Sequence, residues 1–139
     1  MAAIVLSIRP QYTDLILSGE KTVELRRVIP RNLEPGSEII IYSTSPVKHI
    51  VAIAKVERVE HRDLDHLWSA IGGFTGITID FFYEYFSGKS KGFAVVLNDV
   101  KQLNSPISLS DLRRDFGFTP PQSFSYVNRE LKSCIDAAA

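Results

Sequence analysis

The segment from Lys21 to Arg26 holds the residues whose types and spacing are best suited to chemistry in this chain. A β-strand over residues 22–26 would place Glu24 and Arg26 on one face, because successive side chains of a strand alternate. Lys21 would then stand directly before that strand. Two cations and one carboxylate in this arrangement can bind a phosphate together with a base edge, or position a water molecule. A solvated surface ion pair is the alternative interpretation of the same spacing.

Further cations and a run of hydroxyl residues lie near this segment in the sequence. If the first strand pairs beside the second, Arg9 would point towards Lys21 and extend a modest basic patch. Scattered surface charges are the alternative. The run from Ser43 to Pro46 either satisfies backbone groups in a turn or supplies donors to a phosphate or base. The additional candidates for ligand binding are Arg9, Arg27, Arg31 and Lys48, together with Ser43, Thr44 and Ser45.

Other kinds of site are disfavoured by the sequence. The histidines His49, His61 and His66 match no common zinc spacing, and Cys134 has no second cysteine to join it. We therefore expect no metal and no cofactor. The chain has no Walker loop, no dinucleotide-binding fingerprint and no nucleophile elbow. The aromatic residues of the middle segment fall mostly at helical spacing, which favours a place in the core over a base-stacking surface.

The bulk properties predict one small soluble domain over residues 1–139. A chain of 139 residues with 45% hydrophobic residues can bury a core without disulfides. Sixteen basic and sixteen acidic residues give a formal net charge of zero, so any attraction to nucleic acid has to come from a local patch. A single cysteine suits a reducing compartment, and no segment has the pattern of a signal peptide or membrane span. We expect a cytoplasmic protein that is not bound to a membrane, and its oligomeric state stays open.

The hydrophobic pattern predicts short strands with helices inserted between them. Strands are predicted over residues 4–8, 22–26, 38–42, about 50–59 and 92–97, with a type II turn at residues 34–37. Helices are predicted from Pro10 to a stop at Gly19, over residues 64–71, from Thr78 to Gly88, from Ser108 or Ser110 through Leu112, and from Ser123 or Ser125 to Ile135. This order favours an α+β fold, a small mixed-sheet β-barrel with helices at its openings.

One family resemblance rests on the same charged segment. Gly19-x-Lys21-x-x-Glu24-x-Arg26 matches the G-x-K-x-x-E-x-R signature of the ASCH domain, which belongs to the PUA-like superfamily. Flanking segments also resemble stand-alone bacterial and archaeal ASCH proteins: Ser7-Ile8-Arg9-Pro10-x-Tyr12, Ile41-Tyr42-Ser43-Thr44-Ser45-Pro46-Val47, Tyr85-Phe86-x-Gly88 and Pro120-Pro121-Gln122-Ser123-Phe124-Ser125-Tyr126.

The resemblance implies a pseudo-barrel, a motif-lined cleft beside the first helix, and a role with RNA or nucleotides. It nominates Lys21, Glu24 and Arg26, then Ser43, Thr44 and Ser45 from a facing strand. Some small bacterial ASCH proteins are thought to be amidohydrolases of acylated cytidine, and others have been proposed to cleave RNA. This chain departs from the amidohydrolase pattern, because Glu24 stands where a hydroxyl is expected and no acidic residue lies between Asp65 and Asp80. Glu24 would also favour the charged form of the Lys21 amine.

Three functions are therefore open. A binding module, regulatory in one version, would hold single-stranded RNA or a nucleotide, with Lys21 and Arg26 on phosphate and Glu24 on a base N–H. A metal-independent hydrolase would act on acylated cytidine nucleosides or on single-stranded RNA, with Lys21 and Glu24 as its catalytic residues. A protein-interaction module is the third. The expected partner is RNA, a nucleotide or a nucleoside.

Overall fold

The computed structural model describes residues 3–139, which form six strands and five α-helices. The strands are β1 (Ala3–Ile8), β2 (Val23–Arg26), β3 (Glu38–Ser43), β4 (His49–Asp63), β5 (Lys91–Ser108) and β6 (Phe124–Tyr126). The α-helices are α1 (Pro10–Ser18), α2 (Leu64–Ile71), α3 (Ile79–Tyr85), α4 (Leu109–Phe116) and α5 (Arg129–Ala138). A short 3-10 helix, Gly72–Phe74, follows α2 directly.

The strands form one mixed sheet in the order β2-β5-β4-β3-β1-β6. β1 runs parallel to β3, and every other neighbouring pair is antiparallel. The first strand therefore pairs with β3 and β6, so the condition under which Arg9 was expected to point towards Lys21, pairing of the first strand with the second, is not met. The reason is that β2 completes its backbone hydrogen bonds with β5, where Val23–Arg26 faces residues 93–96.

The sheet curls so that its two edge strands approach each other. Arg26, at the end of β2, donates a hydrogen bond from Nη2 to the carbonyl oxygen of Ser123, directly before β6, at 2.5 Å. Irregularities of the β-bulge type interrupt the β4–β5 pairing at three places, and such bulges bend a strand and increase its twist. This curled mixed sheet with its surrounding helices confirms the predicted α+β, barrel-like fold.

Three predicted boundaries are wrong. β4 continues to Asp63 and does not end near residue 59, because residues 60–63 pair with residues 91–94 of β5. β5 continues well past Leu97, because Asp99 at φ 51° and the shifts of register absorb polar residues that a regular strand would not hold. The last helix begins at Arg129 and not at Ser123 or Ser125. Residues 124–126 pair with β1 instead, and Asn128 caps the helix by accepting a bond from the Leu131 N–H.

Local signals set the path from β1 to β2 that frames the site. Pro10 is the first residue of α1, where its missing N–H has no helical partner to lose. Gly19 ends this helix at φ 86°, a left-handed conformation that glycine adopts readily, and its N–H donates to the carbonyl of Ile16. Lys21 therefore lies in the short connection between the helix end and β2.

A cluster of apolar residues holds α2 and α3 against β2 and β5. Phe82 and Phe86 of α3 and its C-cap are fully buried and pack in the same cluster as Val23 and Leu25. Burial of a side chain of this size contributes about 1.5–3 kcal/mol. α3 is thereby fixed beside the strand that carries Glu24 and Arg26.

Helix length gives one further fact about the described residues 3–139. The longest helix, α5, has ten residues, and none of the helices has the length and apolar character needed to cross a membrane.

Candidate functional site

A cleft of about 170 Å³ opens between β1 and β2, two strands that the curl of the sheet brings together. β1 and the residue after it contribute residues 7–9, and α1 contributes Tyr12. β2 contributes residues 24–26, with Lys21 before it. The third wall comes from the α3 region, through Ile77, Phe81 and Tyr85. The cleft thus combines four charged side chains with three aromatic rings.

Lys21 is buried at one end of this charged group, with 3% of its surface exposed. Its Nζ donates to the carbonyl oxygen of Thr75 at 2.5 Å and lies 3.5 Å from Oε1 of Glu24. The ring of Tyr12 lies beneath it, with the ring centroid 5.5 Å from Nζ, which adds a cation–π contact. An ammonium group with these partners has little contact with solvent.

The segment after α2 closes over Lys21 and explains this burial. The backbone N–H of Thr22 donates to the carbonyl of Phe74, and the Thr75 hydroxyl donates to the carbonyl of Gly72. Gly76, at φ 72°, passes so close that a Cβ built there would lie 3.6 Å from Cβ of Lys21. Residues 72–76, which are far from Lys21 in sequence, therefore cover its side chain and supply a hydrogen-bond acceptor to its Nζ.

Burial lowers the pKa of Lys21 below its ordinary value, and the attraction of Glu24 offsets only part of this effect. From the sequence, Glu24 was expected to favour the charged amine. Desolvation of Lys21 by the covering residues 72–76, which the sequence does not reveal, opposes this attraction and is the larger effect. The cleft therefore contains an amine that loses its proton more readily than an exposed lysine does.

Glu24 lies between two cations. Its Oε1 faces Lys21, and its Oε2 accepts a hydrogen bond from Nη1 of Arg26 at 3.4 Å. The side chains of Glu24 and Arg26 are 10% and 11% exposed, so the alternative of a solvated surface pair does not describe them. Their position on one face of β2 agrees with the alternation expected from the sequence.

Aromatic rings form much of the remaining wall. Tyr12 and Phe81 lie with their ring centroids 6.4 Å apart, and the Tyr85 hydroxyl donates to the carbonyl of Leu25 at 3.1 Å. Burial raises the pKa of Tyr85, so this hydroxyl keeps its proton across the ordinary pH range. Phe82 and Phe86 belong to the core as helical spacing predicts, whereas Phe81 and Tyr85 reach the cleft. Tyr12 and Tyr85 were present in the family-like flanking segments, which was the available signal for them.

The other predicted residues lie in different surroundings. Arg9 lines the cleft, and Arg27 lies just outside it, where its Nη1 donates to the carbonyls of Tyr85 and Ser87. Ser43 is buried and its hydroxyl lies 3.0 Å from that of Thr13. Thr44 and Ser45 lie in the turn between β3 and β4. None of these three hydroxyl residues lines the cleft, so a ligand-binding role for them stays a prediction.

Two further candidates lie away from the cleft lining. Lys48 has φ 53° and lines a separate surface pocket with His49, Arg113 and Arg114. Arg31 is exposed in the connection between β2 and β3. The structure thus brings together Arg9, Lys21, Glu24 and Arg26, and leaves Lys48 and Arg31 outside this group.

The histidines and the cysteine have structural surroundings of their own. His61 stacks on Phe93 with centroids 4.0 Å apart, and His66 contacts the carboxylate of Asp63 at the start of α2. Cys134 is half-buried in α5. Within residues 3–139, no group of three or more His, Cys, Asp or Glu side chains converges in a way that would hold a metal ion.

Comparisons with known proteins agree on one family. The family model described as the ASCH domain matches residues 6–107. A Zymomonas mobilis protein named ASCH domain-containing ribonuclease is 35% identical over 127 residues, which are 91% of this chain and 84% of that protein. A crystal structure of ASCH from Zymomonas mobilis matches with TM-score 0.91 and 33% identity, covering 98% of this chain and 94% of that chain. Large ribosomal subunit protein uL22 of Ureaplasma parvum is 26% identical over 125 residues, 89% of this chain but 39% of that protein.

Proposed function

Because this chain belongs to the ASCH domain family, we propose that it binds single-stranded RNA, with one nucleotide held in the motif cleft. The observation that carries this proposal is the row of buried Lys21, buried Glu24 and half-buried Arg26 beside the rings of Tyr12, Phe81 and Tyr85. Proteins that read single-stranded RNA use this combination of parts, since a splayed base offers a face for stacking and an edge for hydrogen bonds.

Each kind of side chain has a place in this proposal. An aromatic ring stacked on a base is worth about 1–3 kcal/mol, and the Phe81 ring in the cleft wall is 36% exposed. Glu24 accepts from a base N–H, because a carboxylate held between two cations keeps lone pairs for a further donor. The guanidinium of Arg26 and the exposed Arg9 at the cleft rim contact the phosphate.

The proposed binding is local and salt-sensitive. The formal net charge of the chain is zero, so no overall field attracts RNA from a distance. Each phosphate contact that releases a counterion from a single strand lowers the slope of log affinity against log salt concentration by about 0.7. Binding through Arg9 and Arg26 therefore predicts a shallow slope.

The test measures affinity for a panel of labelled single-stranded RNAs at low and moderate salt. Phe81→Ala and Arg9→Ala are the informative variants, because these side chains face the cleft without buried hydrogen bonds. Phe74→Ala and Arg31→Ala are matched controls on exposed residues away from it. We expect Phe81→Ala to weaken binding about fivefold or more. No binding by the unmodified chain, or equal losses in test and control variants, would refute the proposal.

RNA cleavage in the same cleft is the second candidate. It is favoured by the lowered pKa of Lys21 and by the name of the 35% identical relative. The neutral amine of Lys21 would take the proton of a ribose 2′-hydroxyl, whose oxygen then attacks the adjacent phosphorus, and Glu24 would hold that amine in position. The bond from phosphorus to the 5′-oxygen breaks, and that oxygen receives the proton that Lys21 took from the 2′-hydroxyl, either directly or through a water molecule. Arg26 would stabilise the added negative charge on the phosphorus centre.

The chemistry of the products tests this second candidate. Attack by the 2′-oxygen yields a 2′,3′-cyclic phosphate and a 5′-hydroxyl, and a 2′-O-methyl group at the cleaved position stops the reaction. Lys21→Met is expected to abolish cleavage while circular dichroism confirms that the variant is folded. Activity that persists with a chelator would support the metal-independent prediction. Products with a 5′-phosphate, or full activity of Lys21→Met, would rule out this mechanism.

A further inference from the structure

A second basic pocket of about 400 Å³ adjoins the motif cleft. The two share the side chains of Arg26 and Tyr85, which line both of them. Beyond this shared wall the second pocket adds Arg27, Lys89 and Gln122. A ligand that occupies the cleft beside Arg26 therefore has a continuous surface on which to extend.

The end of α3 positions the two new cations. The Nη1 of Arg27 donates to the carbonyl oxygens of Tyr85 at 2.8 Å and Ser87 at 2.9 Å, which fixes its guanidinium against the helix end and leaves its other N–H groups to bind a ligand. Gly88, at φ 84°, turns the chain, and the N–H of Lys89 returns to the carbonyl of Phe86. Both cations therefore lie at the same end of α3.

No carboxylate balances these charges among the described residues. The lining of this pocket contains no acidic side chain, and within residues 3–139 neither Arg27 nor Lys89 forms an ion pair. Three of the other exposed arginines, Arg58, Arg62 and Arg114, each pair with a carboxylate. On a chain of zero net charge, two unpaired cations beside a cleft form a local site for an anion.

The size of the cleft indicates what kind of anionic ligand reaches the two cations Arg27 and Lys89. At about 170 Å³ the cleft is smaller than the roughly 300–1,000 Å³ typical of pockets that enclose a small molecule. It suits one base with part of its sugar. The phosphodiester of a nucleotide held there has to continue outside, and the shared Arg26 leads towards Arg27 and Lys89.

We propose that Arg27 and Lys89 bind the phosphodiester next to the nucleotide in the cleft, so that the ligand is an oligonucleotide chain and not a nucleoside or mononucleotide. This inference rests on the proposed function. We expect Arg27 to contact the phosphate without preference for a base, because its guanidinium is held against backbone carbonyls at the end of α3 and a phosphate contact reads no base edge.

The experiment compares uridine 5′-monophosphate with a non-cleavable 2′-fluoro tetranucleotide by calorimetric titration at low salt. Lys89→Ala and Arg27→Gln are the test variants, and Lys101→Ala removes an exposed lysine of β5 as a matched control. We expect the tetranucleotide to bind more tightly than the monophosphate. Each test variant lowers the affinity for the tetranucleotide by about two- to fivefold and leaves the affinity for the monophosphate unchanged. Lys89→Ala also reduces the salt slope of tetranucleotide binding by about 0.7.

Four results overturn the inference, and they are distinguishable. If the unmodified chain binds both ligands equally, or if the tetranucleotide still binds more tightly than the monophosphate in both test variants, the second pocket has no role. RNA binding in the cleft is not refuted by either result. Equal weakening of both ligands in the test variants means that the pocket holds the nucleotide's own phosphate. Failure of the unmodified chain to bind either ligand refutes the proposed function itself, and the inference with it.

Discussion

Replacing Glu24 with Gln tests whether the cleft depends on a carboxylate between two cations. At the 3.5 Å that separates Nζ of Lys21 from Oε1 of Glu24, two unit charges interact by about 5 kcal/mol when the effective dielectric constant is about 20. Removing one partner of a buried pair typically costs about 3–5 kcal/mol. Because Gln retains an oxygen that can accept from Arg26, we expect the free energy of unfolding to fall by about 3 kcal/mol at neutral pH.

This loss depends on pH with a definite sign. The pKa of Lys21 is lowered in the folded state from its ordinary 10.5, so between the two values the unfolded chain binds more protons and stability rises with pH. Glu24→Gln removes the charge that raises the pKa of Lys21 in the folded state. The pH range in which stability rises with pH therefore begins at a lower pH in this variant. We therefore expect the destabilisation by Glu24→Gln to be largest near neutrality and to shrink as the pH approaches 10.

Urea unfolding followed through the fluorescence of Trp68, the single tryptophan, measures both quantities. The difference between Glu24→Gln and the unmodified chain cancels the titration of groups that the substitution leaves alone. In the Lys21→Met background the pH dependence of this difference should disappear. A destabilisation by Glu24→Gln that stays constant from pH 7 to pH 10 would show that burial does not control the protonation of Lys21.

Three further substitutions test packing and hydrogen bonds by urea unfolding, two of them around the site and one at the start of α5. Gly92→Ala should lower the free energy of unfolding by about 1–3 kcal/mol, because the added Cβ would lie 2.6 Å from the buried Phe86 ring. Gly73→Ala is the control and should lower it much less, because a Cβ there meets nothing within 4 Å. Equal effects of the two substitutions would contradict this explanation. Tyr85→Phe removes a hydrogen bond to a part-buried carbonyl and should cost about 1 kcal/mol, and no loss would mean that water replaces the bond. Asn128→Ala removes the N-cap of α5 and should cost about 1 kcal/mol; an unchanged free energy would exclude a role for the cap.

The parts of the fold that local patterns specify were predictable from the sequence. Pro10 and Gly19 delimit α1, and the alternation in residues 22–26 places Glu24 and Arg26 on one face. These features depend only on neighbouring residues, so one sequence is enough to find them. Elements 38–43 and 64–71 follow from their hydrophobic pattern in the same way.

The parts that depend on distant contacts were not predictable. β6 exists because three residues pair with β1 more than a hundred positions away, and nothing in their local pattern distinguishes them from the start of a helix. The burial of Lys21 depends on the Thr75 carbonyl, which is 54 residues away along the chain. Phe81 and Phe82 are adjacent in sequence, yet one lines the cleft and the other fills the core, a difference that only the packed helix decides.

The long connection between β4 and β5 forms a separate part of the site, outside the strands that carry Glu24 and Arg26. Residues 64–90, which leave the sheet after β4 and return at β5, supply the cover of Lys21, one aromatic wall of the cleft and the Lys89 side chain. They attach to the sheet through one apolar cluster and through the hydrogen bonds that Thr75 and Tyr85 make with Lys21 and Leu25, and they interrupt no strand. An exchange of residues 64–90 alone would therefore change the cover of Lys21, this aromatic wall and the Lys89 side chain, while Glu24 and Arg26 would keep their places on an unchanged β2.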